Sequence, residues 1–323
     1  MRRSGRVWRR ICCELRASDK HQRLFRVARE GYSVAMTQPF DDIRALFAQF
    51  PPPQATAAET ARHAGRDLGA LAEIAAWIAR WRGVATVNRP ILSLYAGAHA
   101  GGDPAEARER LEAIASGAAP VSRAVQHLGA GLDVFDLAIE RPVPDAAIKA
   151  SMSERECAAT MAFGMEALAK QPDLLILGGF GPGADRAAAD LVEALAGGDV
   201  SAAVARARGE AGDDPLQLLR QLGGRETAAI AGAILAARIQ SIPVLLDGAA
   251  ALAAAQALAA VDADAVAHCR VGHAPPGPQN PDQIARLSGH LPALNLGVDD
   301  GTGSIAMLSI VKLATALVSG APA

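Results

Sequence analysis

The sequence predicts an α/β fold: a doubly wound, mostly parallel sheet of about six strands with helices on both faces, plus a small helical subdomain from the two chain ends. Two observations carry the prediction. From residue 90 onward, short apolar runs rich in β-formers recur, most of them closed by glycine. Between them lie longer segments with helical spacing, and strand–helix alternation of this kind builds parallel sheets covered on both sides.

The elements follow in order. From Phe40 to Arg82 the spacing predicts two helices, "FDDIRALFAQF" and "TAAETARHAGRDLGALAEIAAWIARWRG". Pro51, Pro52 and Pro53 separate them, since proline removes a helical hydrogen bond. In the second, Leu68, Leu71, Ile74, Ala75 and Ile78 recur at intervals of three and four. Strands are then predicted at "PILSLYAG" (90–97), "LDVFDLAI" (132–139), "DLLILGG" (173–179), "IPVLLDG" (242–248), "DAVAHCRVG" (264–272) and "ALNLGV" (293–298). A last helix is predicted at "SIAMLSIVKLATALV".

The expected organisation is a basic extension over 1–35, a helical segment over 36–85, the α/β domain over 86–298 and a closing helix within 299–323, which joins the small helical subdomain. Residues 1–35 hold ten Lys/Arg against three Asp/Glu, which leaves 22 against 31 in the rest of the chain. The body is therefore mildly acidic, which argues against a nucleic-acid face, because such faces need clustered cations. The basic segment lacks the apolar core of a secretory signal. It is expected to be disordered, or to precede the true start at Met36.

Cys12, Cys13, Cys157 and Cys269 show neither a C-x-x-C pair nor metal-ligand spacing, so a disulfide framework or structural zinc is not expected. A reducing cytoplasm fits. The longest apolar stretch, "IPVLLDGAAALAAAQALAAV", is built mostly on alanine and is interrupted by Pro243, Asp247 and Gln256. It does not read as a membrane span.

Ligands of open parallel sheets collect outside the carboxyl ends of the strands. The loops starting at Gly97, Gly178, Gly248, Gly272 and Gly297 are thus the candidate site. In "GGFGPGADRAAAD", Gly181 and Gly183 permit close backbone approach, and a helix opening near Asp185 would favour an anion, with Arg186 adding charge. The same stretch also reads as a plain turn with Asp185 as helix cap. His99 in "YAGAHAGG" and His273 in "RVGHAPPGPQN" fall at the same edge, as proton-transfer or hydrogen-bonding groups or as ordinary loop residues. Asp299 and Asp300, before Gly301-Thr302-Gly303, read either as a general base or as an Asx turn capping the last helix. Asp247 is placed to orient a sugar hydroxyl or to cap the following helix. Glu226 suits the macrodipole of a helix first turn.

These residues carry a family resemblance. Across roughly 37–320 the chain resembles the nicotinate-nucleotide:dimethylbenzimidazole phosphoribosyltransferases. The longest matching stretch is "DPLQLLRQLGGRETAAIAGAILAARIQSIPVLLDG" (214–248), close to the family's "LGG-E-AA-AGA…IPV-LDG" core. "LGALAEIAAWIARWRG", "YAGAHAGG" and "SERECAATMAFGMEAL" follow in the family's order. The glycine-rich turn stands where the family has "EMGIGNTTAAAA".

Departures accompany the match. Ala184, Asp185 and Arg186 stand in place of Asn-Thr-Thr, "TKPPGS" is absent near 62–67, and "DPAEARERLEAIASG" replaces a "VS-FP-VT-QM" pattern. The family's "GRGTG" is replaced by "GGDVSAAVARARGEAGD", and Pro275 occupies the neighbourhood of a serine. Asp300 corresponds to the glutamate of "GEGTG", one methylene shorter and in a shorter loop.

The resemblance implies transfer of phosphoribose from nicotinate mononucleotide to a benzimidazole-type base, giving α-ribazole phosphate for the lower ligand of cobalamin. It implies Asp300 as catalytic base. Gly181, Gly183, Ala184, Asp185, Arg186 and His273 are then placed at the nucleotide and its phosphate, and His99 and Asp299 at the azole. Neither cofactor nor metal is expected. The expected partners are small molecules and a second copy of the chain in the cytoplasm, without nucleic acid or membrane. The departures leave open an alternative, a catalytically impaired paralogue acting as a binding or regulatory protein.

Overall fold

The computed structural model describes residues 38–198, 200–274, 287, 294–298 and 300–319. Residues Pro39–Ala323 form one compact unit. The basic segment, Pro275 and Asp299 lie outside the described residues.

Helices α1 (Pro39–Phe47), α2 (Ala55–Ala64) and α3 (Ala70–Arg82) lead into strand β1 (Pro90–Ala96). Then come α4 (Pro104–Ala115), α5 (Pro120–His127), β2 (Gly131–Asp136), α6 (Glu154–Gly164), β3 (Leu174–Phe180), α7 (Ala184–Leu195), α8 (Ala202–Ala211), α9 (Pro215–Leu222) and α10 (Arg225–Ile239). Strand β4 (Val244–Asp247), α11 (Gly248–Val261), β5 (Cys269–His273) and α12 (Thr302–Ser319) complete the order.

Local chemistry sets many of these boundaries. Asp103 caps α4 through Ala105 N with Pro104 behind it, and Asp214 caps α9 through Leu216 and Gln217 with Pro215 behind it. Ser153 and Glu156 form a reciprocal capping box at α6. Gly83 closes α3 in the left-handed conformation.

Among the described residues the sheet has five strands, all parallel, in the order β2-β1-β3-β4-β5. This corrects the expected count of six. The described part of "ALNLGV", 294–298, contributes only a bridge between Leu294 and His273, and the start of "DAVAHCRVG" is a 3-10 turn over Ala263–Val266. Asp262 draws that turn tight by accepting from Asp264 N.

Alternate side chains of each strand feed two cores. Ile91, Tyr95, Leu175, Leu177, Val244 and Leu246 pack with α6, α7, α9, α10 and α11. Leu92, Leu94, Ile176, Phe180 and Leu245 pack with α3, α4, α5 and α12. The expected chain-end helical subdomain exists as an alanine seam of Ala58, Ala61, Ala75, Ala76, Ala79 and Val318. Yet α3 and α12 also give Ile74, Trp77, Ile78, Trp81, Met307 and Leu308 to the core beneath the sheet, so they belong to the same body.

Helix α10 is the central buried element: every residue from Glu226 to Arg238 is inside. Its crossing with α6 is close enough that a methyl on Gly232 would overlap the Met161 carbonyl, and one on Gly164 the Ala229 carbonyl. At its far end the buried Arg238 donates to Asp264 Oδ2 (2.6 Å), Asp264 O (3.0 Å) and Pro51 O (2.8 Å), and lies over Trp81 and Phe50. Among the described helices only α12 has the length and apolarity of a membrane span. Half of it is buried in this fold.

Candidate active site

In the order β2-β1-β3-β4-β5 the chain turns one way after β1 and the other way after β2. The crevice outside the carboxyl ends of β1 and β3 is therefore the topological switch point, where open α/β sheets bind ligands. The loop after β1 and the turn after β3 are laced together there. Gly97 N donates to Phe180 O (3.0 Å) and His99 N to Pro182 O (3.1 Å).

This closeness explains the glycines. Gly181 (φ 144°) and Gly183 (φ 83°) hold conformations that side chains resist. A methyl on Gly181 would overlap the Gly97 carbonyl, and one on Gly183 would come within 2.8 Å of His99 Cβ. Helix α7 opens directly after Gly183 with no side-chain cap. Gly181, Gly183 and the buried Ala184 thus bring bare backbone to the switch point. Asp185 stands in the first turn of α7, where the helix dipole favours a carboxylate. Arg186 does not reach back to the turn: it is exposed and pairs along the helix with Asp190 (3.0 Å).

On the α10 face of this crevice, His99 Nε2 and Glu226 Oε1 lie 2.9 Å apart. The Glu226 side chain is fully buried and that of His99 is 11% exposed. Burial alone would push the imidazole down in pKa, but the charge and hydrogen bond of Glu226 outweigh it and raise His99. Burial would likewise raise Glu226, and the charge and hydrogen bond of His99 bring it below its ordinary value. Both directions describe a charged pair. The structure sets His99 beside the Gly181–Gly183 turn.

On the opposite face, Asp300 lines a cavity of about 460 Å³ with Arg110, Ala113, Ile114, Ala118, Ala119, Pro120, Gly297 and Val298. Its Oδ1 accepts from Thr302 N (2.9 Å). The Arg110 guanidinium lies over the Phe180 ring at 4.6 Å, and Phe180 ends β3 immediately before Gly181. The Asp300 cavity and the glycine turn are thus neighbours along one sheet edge.

Asp247, buried at the end of β4, accepts from Gly301 N (3.2 Å) and Ser304 N (2.7 Å). It therefore caps α12 across the sheet rather than α11, the helix that follows it. Burial raises its pKa, and the bonds from Ser304 and the charge of His273 oppose the rise. His273 is also fully buried; Nε2 accepts from Leu296 N (3.2 Å), and Nδ1 has no partner among the described residues. It sits with Asp247 and the start of α12.

Two residues escape the sequence reading. Glu226 reads locally as a first-turn acid; the signal for more is the Gly223-Gly224 pair before it and Gly97 in the strand-end loop. Arg110, in "ARERLEAIA", reads as the solvated face of an amphipathic helix, and nothing local marks it as a cavity wall.

A family model described as Phosphoribosyltransferase matches residues 53–211 and 200–322. A nicotinate-nucleotide–dimethylbenzimidazole phosphoribosyltransferase of Rhizobium leguminosarum bv. trifolii is 42% identical over 320 residues, spanning 87% of this chain and 94% of that protein. The enzyme of the same name from Agrobacterium fabrum is 40% identical over 321 residues, spanning 87% and 93%. A crystal structure from Thermus thermophilus, described as the same transferase, superposes with a TM-score of 0.68 at 24% identity, over 87% of this chain and 95% of that one.

Proposed function

The chain belongs to the nicotinate-nucleotide–dimethylbenzimidazole phosphoribosyltransferase family, and from that premise we propose that it transfers phosphoribose from nicotinate mononucleotide to a benzimidazole-type base, giving α-ribazole phosphate. A nitrogen of the azole forms the new bond to ribose C1′ while the bond to nicotinate breaks. The bonding pair leaves with nicotinate and neutralises its pyridinium nitrogen. The azole proton passes to a carboxylate, which we assign to Asp300.

One observation supports this assignment most. Asp300 fronts a cavity of about 460 Å³ whose other walls are apolar apart from Arg110. Arg110 in turn rests on Phe180, the residue before the glycine turn at the switch point. A flat apolar base against the carboxylate and an anionic nucleotide over bare backbone N–H groups suit such an edge. With so little bond-making demanded of side chains, positioning dominates, and a displacement of about 1 Å costs roughly 100-fold in rate.

Calorimetry with nicotinate mononucleotide and with dimethylbenzimidazole is expected to show binding of each, and a coupled assay to show nicotinate release. Absence of binding for both at millimolar concentration overturns the reading. The comparisons give no support to an impaired paralogue.

The same reading has the enzyme acting on small molecules as a cytoplasmic homodimer, without nucleic-acid or membrane partners. Leu313 and Leu317, 53% and 42% exposed, give α12 an apolar edge for a second copy. Sedimentation velocity is expected to report a dimer; a monomer at micromolar concentration removes that element.

A further inference from the structure

Glu226 is an expensive residue to place where it is. Its carboxylate is fully buried, one oxygen meets His99, and the other, Oε2, has no partner among the described residues. A methyl on either Gly97 or Gly224 would collide with it. Two positions therefore forgo side chains to accommodate one carboxylate. Complementing the α10 dipole does not require this, since an exposed acid serves that purpose. A buried charge is tolerated when its partner makes use of it, and the partner here is His99.

His99 is fixed by its main chain as well as its ring. Its N–H is bonded to Pro182 O, Ala100 N is bonded to Val143 O, and His99 pairs with Val143 in a β-bridge. The Cβ, Cγ and Cδ2 atoms of the side chain stand beside Gly183, and Nε2 is held by Glu226. Arg186 is turned down α7. A cation for an anion at the switch point must then come from elsewhere than that side chain.

We propose that Glu226 is a positioning residue that keeps His99 charged and oriented, and that His99 is the cation facing the phosphate of the nucleotide at the β1/β3 crevice. The inference rests on the reaction proposed above and reassigns His99 from the azole to the nucleotide. On α10, Arg225 lies beside the pair and opposes protonation of His99. The other charged residues of the neighbouring segments are Asp103, Glu140, Arg141, Asp185 and Arg186.

The sign follows from the geometry. A protonated His99 attracts the phosphate, so the KM for nicotinate mononucleotide is low until pH climbs past the raised histidine pKa. Glu226→Gln removes the charge that sustains that state. Nuclear magnetic resonance of histidine-labelled protein is expected to show His99 of the wild type titrating above about 6.5, and at or below it in Glu226→Gln. A charge-assisted hydrogen bond lost from the nucleotide site raises KM about 10- to 100-fold at pH 7.5. The gap narrows only as pH falls through the lowered pKa of the variant's ring, and kcat moves far less than KM. Nicotinate mononucleotide is expected to shift the His99 ring signals of the wild type, and nicotinate riboside, which lacks the phosphate, to leave them in place.

Wild-type His99 titrating at or below about 6.5 overturns the proposal, and this measurement does not depend on how the variant folds. An unchanged KM across pH in Glu226→Gln, or an equal response to the riboside, overturns it too. Wild-type protein that neither binds the mononucleotide nor turns over overturns the reaction assignment instead.

Discussion

Asp300→Asn is expected to abolish turnover while leaving the fold unchanged. The asparagine amide keeps an oxygen that can accept from Thr302 N, the 2.9 Å bond that opens α12, and Asn and Asp are equivalent caps. What it cannot do is take a proton from an azole. Loss of a general base costs about 10²- to 10⁴-fold in rate. Steady-state kinetics should therefore show kcat falling by that factor, with the KM for the nucleotide little altered and the melting temperature constant. Asp300→Ala should lose activity equally and add about 1 kcal/mol of destabilisation from the missing cap. Full activity in Asp300→Asn moves the base role to Asp299 or another group.

Gly232→Ala is expected to be strongly destabilising. The added carbon would overlap backbone of α6 at Met161, and backbone cannot rotate out of the way as a side chain can. Overpacking of this kind costs about 3 kcal/mol, at the upper end of its usual range. At roughly 2–4 °C per kcal/mol for chains of a few hundred residues, the melting temperature falls about 6–12 °C. Gly209→Ala is the matched control. Gly209 lies within α8 with open space around it, so the same methyl adds helix propensity and stabilises by about 0.5–1 kcal/mol. Equal effects at the two sites would contradict the tight α6–α10 crossing.

The sheet is legible in the sequence because strands buried on both faces leave uninterrupted apolar runs. "PILSLYA" and "LLILGGF" can be placed to within a residue or two. The sixth strand fails because "ALNLGV" has the composition of a strand but secures only one bridge: Ala274 N to Leu294 O and Leu294 N to Gly272 O. The candidate site is legible where glycine carries it. Gly181 and Gly183 mark a turn that must lie against other backbone, and the structure supplies that backbone at Gly97.

Side-chain partnerships are not legible. Glu226 meets a histidine 127 residues before it, and Asp247 bonds to amides 54 and 57 residues after it. No local pattern encodes either distance. Both acids sit at helix or strand ends where a nearby cap is a sufficient explanation, and topology overrides the local choice. Arg110 shows the same limit, since helical periodicity says which face a residue occupies but not what later folds over it.

The clasp of Asp247 on the start of α12 bears on how the catalyst is assembled. Asp300 follows the five described strands in chain order, and the amides beside it, Gly301 and Ser304, are held by a carboxylate at the end of β4. The carboxylate proposed as base is thus located only when α12 meets Asp247. On that assignment, the last helix of the chain completes the site.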